Sequence, residues 1–252
     1  MPKKVVGSMS EWSGVLKDLF RQIDDGSVTL EQVKDLVIHK KTAGELANKL
    51  IQLQKYCQPV SDEEAARFLS GKDASAIANL RRFSEKVFNG WNEEIFYKIE
   101  NGFDFQIHAP AVGPCYKDWH DQKQWKLKNK ESTRDSLVFW IPRLLPNSCS
   151  ETANNQLKLM ASRRKEYNLP ENCLKDFGGA SLNTLLILER FHRANERVPL
   201  QSYWIRTDTL HALGYRLCLG AFGEGGLDCH DWGWDGYGPA YLGCFPSGVW
   251  NL

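Results

Sequence analysis

The amino-acid sequence predicts an α+β fold: a helical N-terminal region, then two helices packed on a small, mostly antiparallel sheet. Three observations lead to this prediction. Apolar residues recur at helical spacing through the first hundred residues, and two more helical segments lie near the centre of the chain. Ten of the twenty glycines fall in the last fifty residues, where short apolar stretches alternate with Gly, Asp and Pro. That alternation is typical of short strands joined by tight turns.

In the N-terminal region, apolar stripes predict helices over residues 12–23, 29–37, 43–56, 61–69 and 74–88. Several of these helices begin at a capping box, in which Ser or Thr precedes Glu or Gln by three residues, as Ser61 precedes Glu64. We interpret the stripes as packing surfaces. A chain of 252 residues accommodates two modest domains, and we place the boundary between residues 1–101 and residues 102–252.

In the C-terminal domain, the pattern changes from alternating to helical and back to alternating. Phe103–Ile107 alternates apolar and polar residues and is predicted as a strand, and the continuous apolar run Ser136–Ile141 is predicted as a buried strand. Between them lies a polar excursion that contains five lysines. Helices are predicted over residues 150–167 and 181–194, the second with Ser181 as its N-cap. The last predicted strands cover residues 203–207, 215–222, 227–232 and 241–245.

Charge and cysteine content narrow the classes of function. The net charge is +1, which gives no general attraction to nucleic acid or membranes. From residue 203 onward, two arginines oppose five carboxylates, a balance of −3, so the preceding residues carry +4. No apolar run approaches the ~20 residues of a membrane helix and no signal peptide is visible, so we expect a cytoplasmic protein. The seven cysteines include no CxxC pair and are expected to be buried thiols.

The stretch from Gly214 to Phe245 differs from both ordinary core and ordinary surface. It is rich in Gly, Trp, Tyr, Asp and Cys, includes His230 and contains no Lys. This mixture combines rigid aromatic contact area with adaptable hydrogen bonding, as paratopes do. We predict a ligand-binding face, and we expect no catalytic residue, metal or cofactor. The predicted contact residues are Tyr215, His230, Asp231, Trp232, Trp234, Asp235, Tyr237, Tyr241 and Phe245.

Four short motifs carry a resemblance to a known family: Trp204–Thr209, Gly214–Leu217, Gly225–Asp228 and Tyr241–Gly243. Together with the order of elements, they resemble the C-type lectin fold and, more narrowly, the variable proteins of diversity-generating retroelements. In that bacterial family, a reverse transcriptase-driven process rewrites chosen codons near the C-terminus of a lectin-like domain. The resemblance implies a non-catalytic protein that binds a ligand, expected to be a protein, through a hypervariable segment over about residues 205–247.

The chain departs from the sugar-binding lectins. Their calcium-dependent loops, Glu-Pro-Asn or Gln-Pro-Asp with Trp-Asn-Asp, do not occur in this sequence. A calcium-mediated sugar site is therefore not expected, although Asp228, Asp231 and Asp235 carry oxygens suited to a hard cation.

Other readings remain open. The lectin-like fold also hosts the formylglycine-generating enzymes, and Cys218 or Cys244 could face His230 from a neighbouring strand. Cys229 and His230 are adjacent, so in a strand they point to opposite faces; with another cysteine they could contribute to a zinc site.

Arg206 and Asp208 are interpreted as a structural pair. The tryptophans and Tyr237 could instead fill a small core. The polar excursion is interpreted as a solvated insertion rather than a nucleic-acid site, and the sequence does not define the oligomeric state.

Overall fold

The computed structural model describes residues 48–69, 75–116, 126–233 and 235–252; at residues 232 and 233 it describes the backbone alone. One compact unit spans Lys49–Leu252. The helices predicted over residues 12–23 and 29–37 lie outside the described residues. Within the described ranges, no helix combines the length and the apolar character needed to cross a membrane.

The described chain has an α+β fold. Residues 48–54 are helical. The further helices are α1 (Asp62–Leu69), α2 (Ala76–Val87), α3 (Phe105–Val112), α4 (Ala153–Glu166) and α5 (Ala180–Ala194). The strands are β1 (Cys57–Pro59), β2 (Phe96–Ile99), β3 (Ser136–Trp140), β4 (Trp204–Leu210), β5 (Arg216–Gly223), β6 (Gly226–Gly233), β7 (Leu242–Gly243) and β8 (Ser247–Asn251).

The first sheet has the order β1-β2-β3-β8, with every pair antiparallel. It is buried on both faces, which is why β3 is a continuous apolar run rather than an alternating one. Tyr97 and Trp140 face a core shared with α3, α5 and the second sheet. Phe96 and Phe139 face a core shared with α1, α2 and α4. Strands β1 and β2 precede residue 102 and β3 and β8 follow it, so this sheet contains residues from both sides of the predicted boundary.

The second sheet has the order β6-β5-β4-β7, antiparallel except for the parallel β4–β7 pair. Residues that face one another across its strands share a face. Ile205, Leu219 and Cys229 form one such row and are buried in the core with α5. The next row along the strands, which includes His230, points to the opposite face. The second sheet therefore has one face on the core and one outer face.

Helix α5 is capped by a residue from the polar excursion. Its N-cap, Gly179, has no side chain to offer, and the Glu131 carboxylate accepts the Ser181 backbone N–H at 2.7 Å instead. A Cβ at residue 179 would lie 2.5 Å from that carboxylate, so a larger residue there would displace the Glu131 side chain from its capping position. The predicted N-cap role of Ser181 is wrong, because its hydroxyl accepts the Phe105 N–H at 3.2 Å.

Several local predictions are confirmed. The Ser61–Glu64 capping box is present, with Ser61 Oγ accepting from Glu64 N at 3.2 Å and Glu64 Oε2 accepting from Ser61 N at 3.0 Å. The helices predicted over 61–69, 74–88, 150–167 and 181–194 are observed with shifts of up to three residues at their ends. The strands predicted at 136–141, 203–207, 215–222 and 227–232 are also observed.

Other predictions are wrong. The strand predicted at Phe103–Ile107 is the start of α3, because the Asp104 side chain accepts the Gln106 N–H at 2.9 Å and caps a helix. The last predicted strand, 241–245, is reduced to the two residues of β7. Strands β1, β2 and β8 were not predicted. They are short, and each pairs with residues remote in sequence.

Candidate functional site

The segment of residues 235–241 crosses the outer side of the second sheet and is held by its main chain. The Asp235 carbonyl accepts the N–H of Ala153 at 2.9 Å, and the Pro239 carbonyl accepts the N–H of Ser150 at 3.1 Å. At the other end, the Tyr241 carbonyl accepts the N–H of Trp204 at 2.8 Å. Each of these bonds uses a backbone carbonyl of the segment, so none depends on which side chain the segment carries.

A buried arginine fixes the middle of the segment. Arg206 on β4 is fully buried, and its guanidinium donates to the carbonyl of Tyr237, to the carbonyl of Glu151 at 3.1 Å and to Gln156 Oε1 at 2.7 Å. The Gln156 amide in turn donates to the carbonyl of Leu242 at 3.0 Å. Arg206 and Gln156 therefore join β4, α4 and the segment in one hydrogen-bonded network.

The side chains of the same segment reach solvent. The Asp235 side chain is 58% exposed, and Tyr237 and Tyr241 are 45% and 39% exposed. The two phenol oxygens lie 3.5 Å apart. Over these seven consecutive residues, the backbone is therefore bonded to the rest of the fold while side chains are exposed to solvent.

The outer face of the second sheet continues this surface. The Trp204 ring lies over Gly220, where a Cβ would come within 2.6 Å of the indole. The centroid of the Trp204 ring is 5.2 Å from that of the His230 ring, and His230 Nε2 is 3.3 Å from Asp228 Oδ2. Because Trp204 also bonds to the backbone of Tyr241, the two parts of the surface adjoin at Trp204.

Arg216 holds two carboxylates at the side of this surface. Its guanidinium donates to Asp208 Oδ1 at 2.8 Å and to Asp235 Oδ1 at 2.6 Å. The predicted pair of Arg206 with Asp208 is therefore wrong, since Asp208 pairs with Arg216 and Arg206 bonds to backbone carbonyls and Gln156. Burial, with the nearby charge of Asp176, raises the pKa of Asp208 to about 6 despite Arg216.

The remaining predicted contact residues occupy different places. Tyr215 is 37% exposed, and Asp231 Oδ2 lies 3.9 Å from His211 Nδ1. Trp232 is part of β6, where the backbone alone is described, and Trp234 lies outside the described residues. Phe245 is buried and packs edge-on against Trp140, with ring centroids 5.6 Å apart. Phe245 therefore belongs to the core and is removed from the candidate site.

Trp204 is the surface residue that the sequence reasoning missed. The signal was strand parity: Ile205 is apolar and faces the core, so its neighbour Trp204 must point to the outer face.

The cysteines are free thiols, and most have a raised pKa. Burial raises the pKa of Cys218, the cross-strand partner of His230, to about 12, and raises that of Cys229 well above its usual range. Such thiols are poor nucleophiles near neutral pH. Among the described residues, no group of three or more His, Cys, Asp or Glu side chains is placed to hold a metal ion.

Comparisons with protein-family models, with curated proteins and with solved structures find no match for this chain.

Proposed function

We propose that this protein binds another protein, without catalysis, through the outer face of its second sheet and the segment of residues 235–241. The observation that carries the proposal is that the backbone of the segment is bonded to the rest of the fold while its side chains are exposed. Its backbone carbonyls bond to β4 and α4, while the side chains of Asp235, Tyr237 and Tyr241 reach solvent. Tyrosine provides large, rigid contact area at low entropic cost, which suits it to recognition.

The proposal also includes a specific fold and a family. We propose a C-type-lectin-like domain that acts as a variable protein of a diversity-generating retroelement. Two features support it. After α3, the order of elements is a strand, two helices and a set of mostly antiparallel strands, which is the order behind the resemblance. In addition, side chains can be exchanged on a segment held by main-chain bonds without loss of the bonds that shape it. Fold similarity by itself does not fix function, so the binding residues carry the argument.

A genomic observation tests the family. A variable protein requires a near-copy of the coding region for about residues 205–247 that differs mainly at adenines and lies beside a reverse transcriptase gene. A complete genome that encodes this chain without such a copy would contradict the assignment.

A combinatorial library tests binding without knowledge of the natural ligand. The full-length chain is displayed on yeast, randomised at Tyr215, His230, Asp231, Asp235, Tyr237 and Tyr241. A control library of equal size is randomised at Asn154, Lys158, Ala161, Ser162, Lys165 and Glu166, accessible positions of α4. Both libraries are selected on hen lysozyme. We expect most variants of the first library to fold and lysozyme binders to come mainly from it. Widespread unfolding in the first library, or equal yields from the two, would contradict the proposal.

A cysteine-based or metal-assisted enzyme on the same fold is the alternative. The raised pKa of Cys218 and Cys229 weighs against a thiolate nucleophile in this sheet. Alkylation with iodoacetamide at neutral pH distinguishes a binding protein from a cysteine-based enzyme. Slow modification of both thiols in the folded chain agrees with a binding protein, whereas rapid modification of Cys218 would favour the enzyme.

A further inference from the structure

The second sheet and its connections carry few positive charges at neutral pH, and both permanent ones are engaged within the fold. Residues 203–252 contain two arginines and no lysine. Arg206 is fully buried and bonds to backbone carbonyls and to Gln156. The Arg216 side chain, 18% exposed, donates to Asp208 and Asp235. Neither guanidinium is therefore placed to pair with an acidic partner.

Carboxylates on and around the same face are only partly neutralised. Asp235 bonds to Arg216, yet its side chain remains 58% exposed. Asp228 Oδ2 lies 3.3 Å from His230 Nε2, and the partly exposed Glu151 lies beside the segment of residues 235–241 at residue 238. In residues 203–252, five carboxylates oppose the two arginines, so the net charge is −3 with neutral histidines.

Aromatic rings lie among these carboxylates. Tyr237 and Tyr241 are exposed, and the partly exposed Trp204 adjoins Tyr241. The face of an aromatic ring attracts a cation, and an arginine or lysine that packs on the ring can also donate to a nearby carboxylate. The surface therefore combines two groups that recognise cationic side chains, whereas the phosphates of nucleic acids or anionic lipids would meet like charge.

We propose that the protein bound by this face presents a basic contact surface, whose Arg and Lys side chains pack on Tyr237, Tyr241 and Trp204 and pair with the nearby carboxylates. The inference rests on the proposed function, because it gives the chemistry of the partner for the same face. Charge complementarity of this kind accelerates association and disfavours acidic partners.

Two lysines of the polar excursion adjoin the other end of the sheet. The Lys128 N–H donates to the Leu210 carbonyl at 2.9 Å, and the Lys126 carbonyl accepts the N–H of Ala212 at 2.6 Å. Leu210 and Trp204 are the two ends of β4, which places them about 20 Å apart. Because the Debye length is about 8 Å at physiological ionic strength, these lysine charges are largely screened at Trp204.

A phage-displayed library of random peptides, selected on the immobilised full chain, tests the chemistry of the partner. We expect the enriched peptides to contain a higher fraction of Arg and Lys, and a lower fraction of Asp and Glu, than the unselected library. Enriched peptides without that bias, or no enriched peptide, would overturn the inference. The proposed function fails only if the lysozyme libraries fail, so the two failures are distinguishable.

Two double variants locate the attraction. Glu151→Gln with Asp235→Asn removes two carboxylates beside the rings, whereas Glu85→Gln with Glu171→Gln removes two exposed carboxylates outside the second sheet and the segment. Each new amide keeps a hydrogen-bond acceptor. The dissociation constant of the most enriched peptide, measured by biolayer interferometry, should rise about 2- to 25-fold for the first variant and change less than about 2-fold for the second. An equal change in both variants would indicate attraction to net charge alone and would overturn the inference.

Discussion

Gly236 and Gly238 lie two residues apart on the segment held against α4, yet the structure predicts opposite responses to an added methyl group. A Cβ at residue 238 would lie 2.7 Å from the carbonyl carbon of Glu151 and 3.0 Å from the nitrogen of Thr152. Both are backbone atoms at the start of α4 and cannot rotate away. A Cβ at residue 236 meets no atom within 4 Å. Neither glycine has positive φ, so the comparison isolates the close approach.

The magnitude follows from the contacts. Gly238→Ala must push the segment off α4 and weaken the hydrogen bonds that its carbonyls accept there. Overpacking of this kind costs about 1–3 kcal/mol of unfolding free energy. Gly236→Ala should instead be neutral or stabilising by up to about 1 kcal/mol, because alanine restricts the unfolded chain. For a chain of this size, each kcal/mol moves the melting temperature by about 2–4 °C.

Urea denaturation and thermal melts of the two variants beside the parent chain measure the difference. We expect Gly238→Ala to unfold at lower urea and lower temperature, with Gly236→Ala at or above the parent. Equal stability of the two variants, within about 0.5 kcal/mol, would refute the argument that the segment is anchored by its backbone.

Three further predictions concern the frame around the site. Arg206→Met should lower the unfolding free energy by about 3 kcal/mol or more in chemical denaturation, because it leaves the Tyr237 carbonyl and other buried acceptors unpaired; a loss below 1 kcal/mol would contradict this. Glu131→Ala should cost about 1–2 kcal/mol in the same assay, since it removes the cap of α5, and Glu131→Gln should recover part of the loss if capping is the cause. The pKa of Asp208 is raised from its ordinary value of 3.8 to about 6, so the folded chain binds more protons than the unfolded chain between those values, and this contribution to stability is full below pH 3.8 and lost as pH rises through 6. Asp208→Asn should flatten that decline in a series of urea curves from pH 4 to 7, and an unchanged slope would contradict the assignment.

Local signals carried much of the secondary structure. The Ser61–Glu64 capping box, the apolar run of β3 and the periodicity of α1, α2, α4, α5 and the helical residues 48–54 each depend on neighbouring residues. Each was predicted. The three missed strands share one cause. Strands β1, β2 and β8 have three to five residues each and are stabilised by partners far away in sequence. The error at α3 has a different, local cause: the Gln106 N–H donates to the Asp104 carboxylate, and this cap selects helix where alternation predicted strand.

The candidate site divides in the same way. Composition pointed to the region after residue 214 and to Asp235, Tyr237 and Tyr241, which the structure brings together on one segment. Phe245 looks equivalent to them in sequence, but it follows β7 into the core beside Trp140. Trp204 was overlooked although the alternation of β4 places its side chain opposite that of Ile205.

The sequence by itself determined the helices other than α3, the glycine-rich strands and the accumulation of aromatic and acidic residues near the end of the chain, because those features depend on local composition and spacing. Only the tertiary structure decided which of those residues face solvent and what holds them there. Arg206, remote from the segment in sequence, bonds to its backbone through a buried guanidinium. Partners of this kind are chosen by packing between distant elements, and no local pattern encodes that choice.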